Sequence, residues 1–325
     1  MKPKLLITDR CAIEAEALLK AHFEVSRSET HIPTTAELEN VEALIIRSRT
    51  KITREFLDQA PILKLIVTST SGYDHIDFEE TTKRNIKVSY TPEANAQSTA
   101  ELTIMLMLNC AREINLASQM IRDGRWIRTE IKAFELGNKT LGIVGLGRVG
   151  SRVAKIAKAM GMKIYAYDPY KEDSVFAELG VERLGYTEIL RMCNVVSYHV
   201  PSTKETYQML NRRLFEDMLP GMIVINACRG EVMNELDILY GLDIGVIERA
   251  GLDVFVKEPL PKDSPFITHP KVITTPHIGA TTEEAFLASS TMAAHKCIDF
   301  FSRQILSDEL PAQSPWWKYQ FRRNS

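Results

Sequence analysis

The chain has 325 residues, a length suited to two compact cores rather than one. Its 40 basic and 42 acidic residues leave a net charge of −2, and with 45% hydrophobic residues this excludes a strong pull toward nucleic acid or an anionic membrane. The longest stretch free of Asp, Glu, Lys and Arg is the 12 residues Met192–Thr203, short of the roughly 20 a membrane helix needs.

Short runs rich in Ile and Val alternate with helical patterns, as in a parallel sheet covered on both faces. Lys4–Thr8, Ala43–Ile46, Leu65–Val67 and Lys87–Ser89 read as strands, with helices expected over Ile13–Lys20 and over Arg54–Gln59, the latter capped by Thr53. One long helix is expected from Glu101 to Ile121. So little of it is polar that it belongs between domains or against a second subunit; Asp123-Gly124 ends it and Trp126 follows in a loop. A more regular series then begins at Lys139, with strands at Leu141–Val144, Lys163–Tyr167, Val195–Tyr198, Met222–Asn226, Ala250–Asp253 and Val272–Thr274. The final helix, Thr282–Phe301, is free to cross back to the first domain. The tail Pro311–Ser325, with Trp316-Trp317, fits no element. Five widely spaced cysteines (Cys11, Cys110, Cys193, Cys228, Cys297) fit neither a disulfide framework nor a zinc site, so a metal-free protein of the reducing cytoplasm is expected.

Leu141 opens a strand that ends in Gly145-Leu-Gly147-Arg-Val-Gly150, followed by a helical run over Ser151–Met160. Gly145 allows a tight turn, Gly147 lets the backbone approach a pyrophosphate, and Gly150 allows close helix–strand packing. The amides of Arg148 and Val149 then face phosphate at the positive end of the helix. The next strand ends in Asp168, 18 residues beyond Gly150 (168 − 150) and near the ~20 expected of a carboxylate that holds the adenosine ribose. A carboxylate there repels a 2′-phosphate, so NAD is favoured over NADP. Lys171 is expected to be a solvated surface residue.

Polar residues also stand just past later strands, where open α/β sheets place ligands. Arg229 follows Met222–Asn226, Glu258 follows Gly251-Leu-Asp253, and His277 follows Thr275-Pro276. Reduction of a ketone acid needs a proton donor and a cation that holds the acid group and polarises the carbonyl. Histidine, with an ordinary pKa of about 6.5, suits the proton. A neighbouring carboxylate orients it, and arginine presents a fork matched to a carboxylate.

Together with His199-Val-Pro201, Asn226-Ala-Cys-Arg229-Gly230, Glu258-Pro259-Leu260, Thr275-Pro-His277-Ile-Gly279, Gly72-Tyr-Asp74-His-Ile-Asp77 and Asn95…Ala100-Glu101-Leu102, these motifs make the chain resemble the D-isomer-specific 2-hydroxyacid dehydrogenases along nearly its whole length. The resemblance implies an α/β fold of two doubly wound parallel-sheet domains, with a Rossmann NAD-binding domain (99–280) inserted in a flavodoxin-like substrate domain (1–98 and 281–325) and a cleft between them. It implies that Arg229 binds the substrate's carboxylate and 2-oxo group, that His277 is the general acid/base, and that Glu258 pairs with it. It also implies that Asp253 faces the nicotinamide carboxamide and that Pro201, Ala227, Cys228 and Gly279 line the cofactor. Ser71 and Gly72 are expected at the substrate, and the region of residues 101–137 is expected to form a homodimer contact that can include Trp126. Two positions depart from the family's usual pattern. Tyr73 stands where a small aliphatic residue is commoner, which is expected to narrow the cleft, and Asn234 stands where Asp is common. Cys228 is not expected to be a nucleophile, because hydride transfer needs none.

Arg47-Ser-Arg49-Thr50 follows an early strand and resembles the stretch whose basic residues serve the phosphate end of the substrate in the family's D-3-phosphoglycerate dehydrogenases. The implied reaction is oxidation of 3-phosphoglycerate to 3-phosphohydroxypyruvate at the entry to serine biosynthesis, without the C-terminal regulatory domain of longer members. Two alternatives stay open at this point: a glyoxylate or hydroxypyruvate reductase, and an NAD(H)-sensing binding protein like the family's corepressors.

Overall fold

A computed structural model describes residues 2–311, so the expectation for Trp316-Trp317 lies outside the described residues. Backbone contacts divide the chain into two units, one holding residues up to Ala96 and again from Ala280, the other Gln97–Gly279. The boundaries expected from the family resemblance were 98/99 and 280/281.

The first unit opens with β1 (Lys4–Ile7), α1 (Ile13–His22), β2 (Glu24–Arg27), α2 (Thr35–Leu38), β3 (Ala43–Ile46), α3 (Arg54–Asp58), β4 (Leu65–Thr68), α4 (Phe78–Lys83) and β5 (Lys87–Tyr90). The side chains of Ala43–Ile46 and Leu65–Thr68 are buried throughout, so these two strands run through the middle of a sheet covered on both faces. Alternation sorts them: Leu6, Leu44, Ile46 and Ile66 enter one core layer, and Leu5, Ile7, Ala43, Ile45, Leu65 and Val67 the other. Thr53 caps α3 by accepting from Phe56 N at 3.3 Å. Tyr73 sits in the first layer, 7% exposed and edge-on to the rings of Phe78 and Tyr90. Its ring fills this unit's core, which corrects the expectation that it would narrow a cleft.

The second unit starts as α5 (Ala96–Arg112) and α6 (Ile114–Arg122) in place of the single helix expected from Glu101 to Ile121. The break is at Glu113, whose backbone is left-handed at φ 49°. That turn aims its carboxylate at Arg249, 2.7 Å away, and at Lys132 N, 2.6 Å away. Arg249 is only 5% exposed and also donates to the carbonyls of Cys110 and Lys132. A buried guanidinium left without such partners costs several kcal/mol, about 3–5 when one member of a pair is removed. The distant ion pair therefore overrides local helix propensity. Beyond the break, Ile114, Ile121 and Trp126 remain 56%, 57% and 79% exposed.

The unit continues through β6 (Thr140–Val144), α7 (Arg148–Ala159), β7 (Lys163–Tyr167), α8 (Asp173–Leu179), β8 (Glu182–Arg183), α9 (Tyr186–Met192), β9 (Val195–Tyr198), β10 (Met222–Asn226), α10 (Glu235–Asp243), β11 (Ile247–Leu252) and β12 (Val272–Thr274). Its sheet runs β12-β11-β10-β9-β6-β7-β8, all parallel. Strand order reverses beside β6, which opens a crevice at the carboxyl ends of β6 and β9. At its far end the unit closes on its own beginning: the hydroxyls of Ser98 and Thr99 donate to Gly279 O at 2.7 and 3.1 Å.

The chain then returns to the first unit as α11 (Glu283–Arg303), capped by Thr282 on Ala285 N at 3.2 Å, and β13 (Glu309–Leu310). Ala293, Ala294 and Cys297 of α11 pack with Ala15 and Leu19 of α1 over the sheet. That sheet has the order β13-β5-β4-β3-β1-β2, with β13 alone antiparallel.

Candidate active site

Gly145 leaves β6 with φ +96°, and a Cβ there would lie 2.5 Å from the His199 carbonyl oxygen. A Cβ on Gly150 would lie 2.1 Å from the Gly145 carbonyl oxygen, so the glycine spacing is what lets α7 start against the strand end. Gly147 is the N-cap of α7 and supplies no side chain, and nothing lies within 4 Å of where its Cβ would be. No side chain of the N-cap closes the first turn of α7, so the amides of Arg148 and Val149 lie at an electropositive helix end. Asp168 adjoins this turn, its Oδ2 accepting from Leu146 N at 2.9 Å and its Oδ1 from Tyr170 N at 3.0 Å. Each carboxylate oxygen keeps a second lone pair that suits a ribose hydroxyl. An uncapped helix end, a glycine cradle and an oriented carboxylate fit a dinucleotide.

Arg229 follows β10 in a turn organised by Asn226, whose Oδ1 accepts from Cys228 N at 3.0 Å and whose Nδ2 donates to Arg229 O at 2.9 Å. A Cβ on Gly230 would lie 2.0 Å from the Phe255 carbonyl carbon, so glycine lets the arginine turn dock on the segment leading to Glu258. Burial pushes the Cys228 thiol up to about 11, which keeps it protonated and unsuited to nucleophilic attack. Ala227 is buried beside it, whereas Pro201 is exposed, its carbonyl accepting from Thr206 Oγ1 at 2.5 Å.

His277 Nδ1 and Glu258 Oε2 are 2.7 Å apart. Glu258 Oε1 accepts from Phe255 N at 3.0 Å. Half-burial opposes the carboxylate's charge, but the bonds from His277 and Phe255 and the nearby charge of Arg229 outweigh it and hold the carboxyl below its ordinary value. His277 has a left-handed backbone, φ 53°. Asp253 enforces that conformation: its carbonyl accepts from His277 N at 2.8 Å, and its carboxylate accepts from Thr275 Oγ1 (2.6 Å), Ile278 N (2.8 Å) and Gly279 N (2.9 Å). Asp253 is fully buried. Where the family resemblance put it at the nicotinamide, its contacts within the chain are those of the residue that shapes the histidine loop. A cavity of about 500 Å³ opens here, lined by Phe255, Leu260, Thr274 and Pro276 as well as Glu258 and His277.

Arg47, Arg49, Ser71 and Gly72 belong to the first unit. Arg49 is exposed and forms a two-pronged pair with Asp9, at 3.0 and 2.8 Å. Arg47 is half-buried, donates to Ser289 Oγ at 3.3 Å and lies 5.7 Å above the centre of the Phe286 ring. Arg10, which sequence reasoning passed over, stacks on the same ring at 4.9 Å. Ser71 Oγ accepts from Asn95 Nδ2 at 3.0 Å, and the Gly72 carbonyl from Thr70 Oγ1 at 2.6 Å. Asn234 caps α10 by accepting from Asp237 N at 3.1 Å, a task that Asn performs as well as Asp. Asn226 and Thr275 also went unassigned in the sequence. Their signal was position, one ending a strand and one following a strand directly.

Residues 104–279 match the NAD binding domain of the D-isomer specific 2-hydroxyacid dehydrogenases. The chain is 39% identical over 296 residues to the D-3-phosphoglycerate dehydrogenase of Methanocaldococcus jannaschii, covering 90% of this chain and 56% of that one. It thus spans about half the length of the curated relatives it matches. A solved structure of a Thermus thermophilus protein superposes with a TM-score of 0.86 at 30% identity, covering 94% of this chain and 99% of the other. A D-lactate dehydrogenase from Aquifex aeolicus, complexed with NAD and lactic acid, superposes with a TM-score of 0.84 at 29% identity over 96% of this chain and 100% of its own. With the glycine cradle and the His277 loop in place, these likenesses lead to one conclusion: the chain belongs to the D-isomer specific 2-hydroxyacid dehydrogenase family and carries that family's NAD-binding domain.

Proposed function

We propose that the protein oxidises a D-2-hydroxy acid, 3-phosphoglycerate, to the 2-oxo acid 3-phosphohydroxypyruvate with NAD, the entry step to serine. The observation that carries the reaction class is the His277–Glu258 pair beside Arg229. Because Nδ1 of His277 donates to Glu258, Nε2 is the nitrogen left to take the substrate's hydroxyl proton. Glu258, ionised and anchored by Phe255 N, fixes the ring plane and offsets the positive charge that the histidine gains. Arg229 holds the substrate carboxylate and polarises the developing carbonyl. Bound NAD supplies a hydride acceptor for the C2 hydrogen. The amides of Arg148 and Val149 hold its pyrophosphate, and Asp168 its ribose. Preference for the phosphorylated acid rests on Arg47 and on the resemblance of its segment to that of the phosphoglycerate enzymes. Five free cysteines fit a cytoplasmic setting.

A homodimer is supported by the exposed Ile114, Ile121 and Trp126, an apolar surface of the kind that a second subunit covers. Sedimentation of the wild type against Ile121→Glu tests it, with a dimer expected for the first and a monomer for the second.

The deciding experiment is NADH oxidation followed at 340 nm with 3-phosphohydroxypyruvate, hydroxypyruvate and glyoxylate in parallel. A kcat/KM advantage of about tenfold for the phosphorylated acid, equal to ~1.4 kcal/mol of transition-state binding, supports the proposal. Preference for the unphosphorylated acids makes the protein a general 2-oxoacid reductase. No turnover with any of them favours an NAD(H)-sensing protein.

A further inference from the structure

Two loops of the nucleotide-binding unit are joined to one side of the glycine turn. One follows β7 as Asp168-Pro-Tyr170-Lys171, and the other follows β9 from His199 to Thr206. Tyr170 bridges them. Its amide donates to Asp168 Oδ1 at 3.0 Å, and its hydroxyl, at the other end of the side chain, donates to Glu205 Oε2. The second loop is itself ordered: Thr206 Oγ1 donates to the Pro201 carbonyl at 2.5 Å, and Thr206 N to Thr203 Oγ1 at 3.3 Å. Glu205 is therefore turned toward the Asp168 loop although it is itself exposed, near the buried Thr203. Both carboxylates act on the Tyr167 hydroxyl, which burial first and then the charges of Glu205 and Asp168 push upward, so both stand close to the end of β7. The neighbouring Arg183 pairs with Asp173 at 2.6 Å, and its other terminal guanidinium nitrogen donates to the Asp168 carbonyl at 3.5 Å. Lys171 and Lys204, on the same two loops, carry the opposing charge.

We propose that Glu205, held by Tyr170, is a second specificity-determining carboxylate that acts with Asp168 to exclude a 2′-phosphate from the ribose end of the cofactor site. A phosphate monoester carries about −1.5 to −2 charges at neutral pH, so a second fixed negative charge near it raises the cost of binding NADP while leaving a neutral ribose hydroxyl welcome. The inference rests on the NAD-binding reading of the glycine turn.

The test is equilibrium titration of the full chain with NADH and with NADPH by nucleotide fluorescence, in low and high salt. The proteins compared are the wild type, Glu205→Gln, Tyr170→Phe and the double variant. Glu205→Gln is expected to lower the ratio of Kd for NADPH to Kd for NADH about threefold or more in low salt and less in high salt, because the effect is a screened charge interaction. Tyr170→Phe should move the ratio the same way by a smaller factor, and the double variant no further than Glu205→Gln, since both act through one carboxylate. An unchanged ratio overturns the proposal. So does a parallel loss of affinity for both nucleotides, which would mark the Tyr170–Glu205 bond as structural only. If the wild type binds neither nucleotide, the cofactor reading itself falls, and that result precedes any variant.

Discussion

The Thr275–Gly279 loop of the second unit and the Arg47–Thr50 segment of the first each follow a strand and each carry a charged or titratable group expected at a substrate. They are built in opposite ways. Around His277 every fixed contact is made by something else: Asp253 holds the backbone, Glu258 holds Nδ1, and Nε2 remains to react. In the Arg47–Thr50 segment the more exposed guanidinium is matched by Asp9 on both prongs. A residue type in the right place is therefore not yet a functional group. What its partners leave over decides the matter, and by that standard Arg47 and Arg49 differ.

The largest effect expected is at His277. His277→Gln should lower kcat on the order of 10² or more, as for a lost general acid, measured by steady-state turnover. Near-normal kcat would remove the contrast between the two regions. The arginines come next. Arg47→Ala should raise KM for 3-phosphohydroxypyruvate by about tenfold, in line with a lost charge-assisted bond. Arg49→Ala, whose partner is Asp9, should change KM by less; equal effects would show that ion pairing does not separate the two. Glu258→Gln should then shift the midpoint of the kcat/KM–pH profile for reduction downward, since the carboxylate paired with the ring is gone. An unmoved profile would break the pairing.

The smallest effect concerns stability. Burial pushes His199 down from 6.5 to about 3. It stays neutral in the folded chain while its unfolded counterpart protonates, so unfolding takes up a proton between about pH 6.5 and 3, and stability falls as pH falls through that window. Denaturant titrations of His199→Gln should show a flatter acid limb than wild type, and identical limbs would contradict this.

Strands that run through the middle of the sheets were legible because burial writes them as largely apolar runs: Ala43–Ile46, Lys163–Tyr167, Val195–Tyr198 and Met222–Asn226 have the limits expected of them, and so does Val272–Thr274, an apolar strand at one sheet edge. The short strands at the sheet edges, Glu24–Arg27, Glu182–Arg183 and Glu309–Leu310, escaped because edges are polar and carry little periodic signal. The division of the long helix at Glu113 was hidden for another reason: its cause, Arg249, lies 136 residues away in the chain. The same distinction holds in the site. Arg229, Glu258 and His277 could be picked out by their positions beyond strands, and the structure brings His277 and Glu258 to 2.7 Å with the charge of Arg229 nearby. The anchoring by Asp253 and the link from Tyr170 to Glu205 depend on loops brought together only by folding.

The hydrogen bonds from Ser98 and Thr99 to Gly279 carry a consequence for how such proteins are made and remade. They bring the entry and exit of the nucleotide-binding unit to the same point, so its two ends meet. A segment whose ends meet is portable: it can be spliced into a host loop, excised and closed by a short linker, or circularly permuted, without stretching the polypeptide that receives it. Exchange of this cassette between relatives would carry the glycine turn and the His277 loop together as one piece, leaving the sequence of the first unit unchanged.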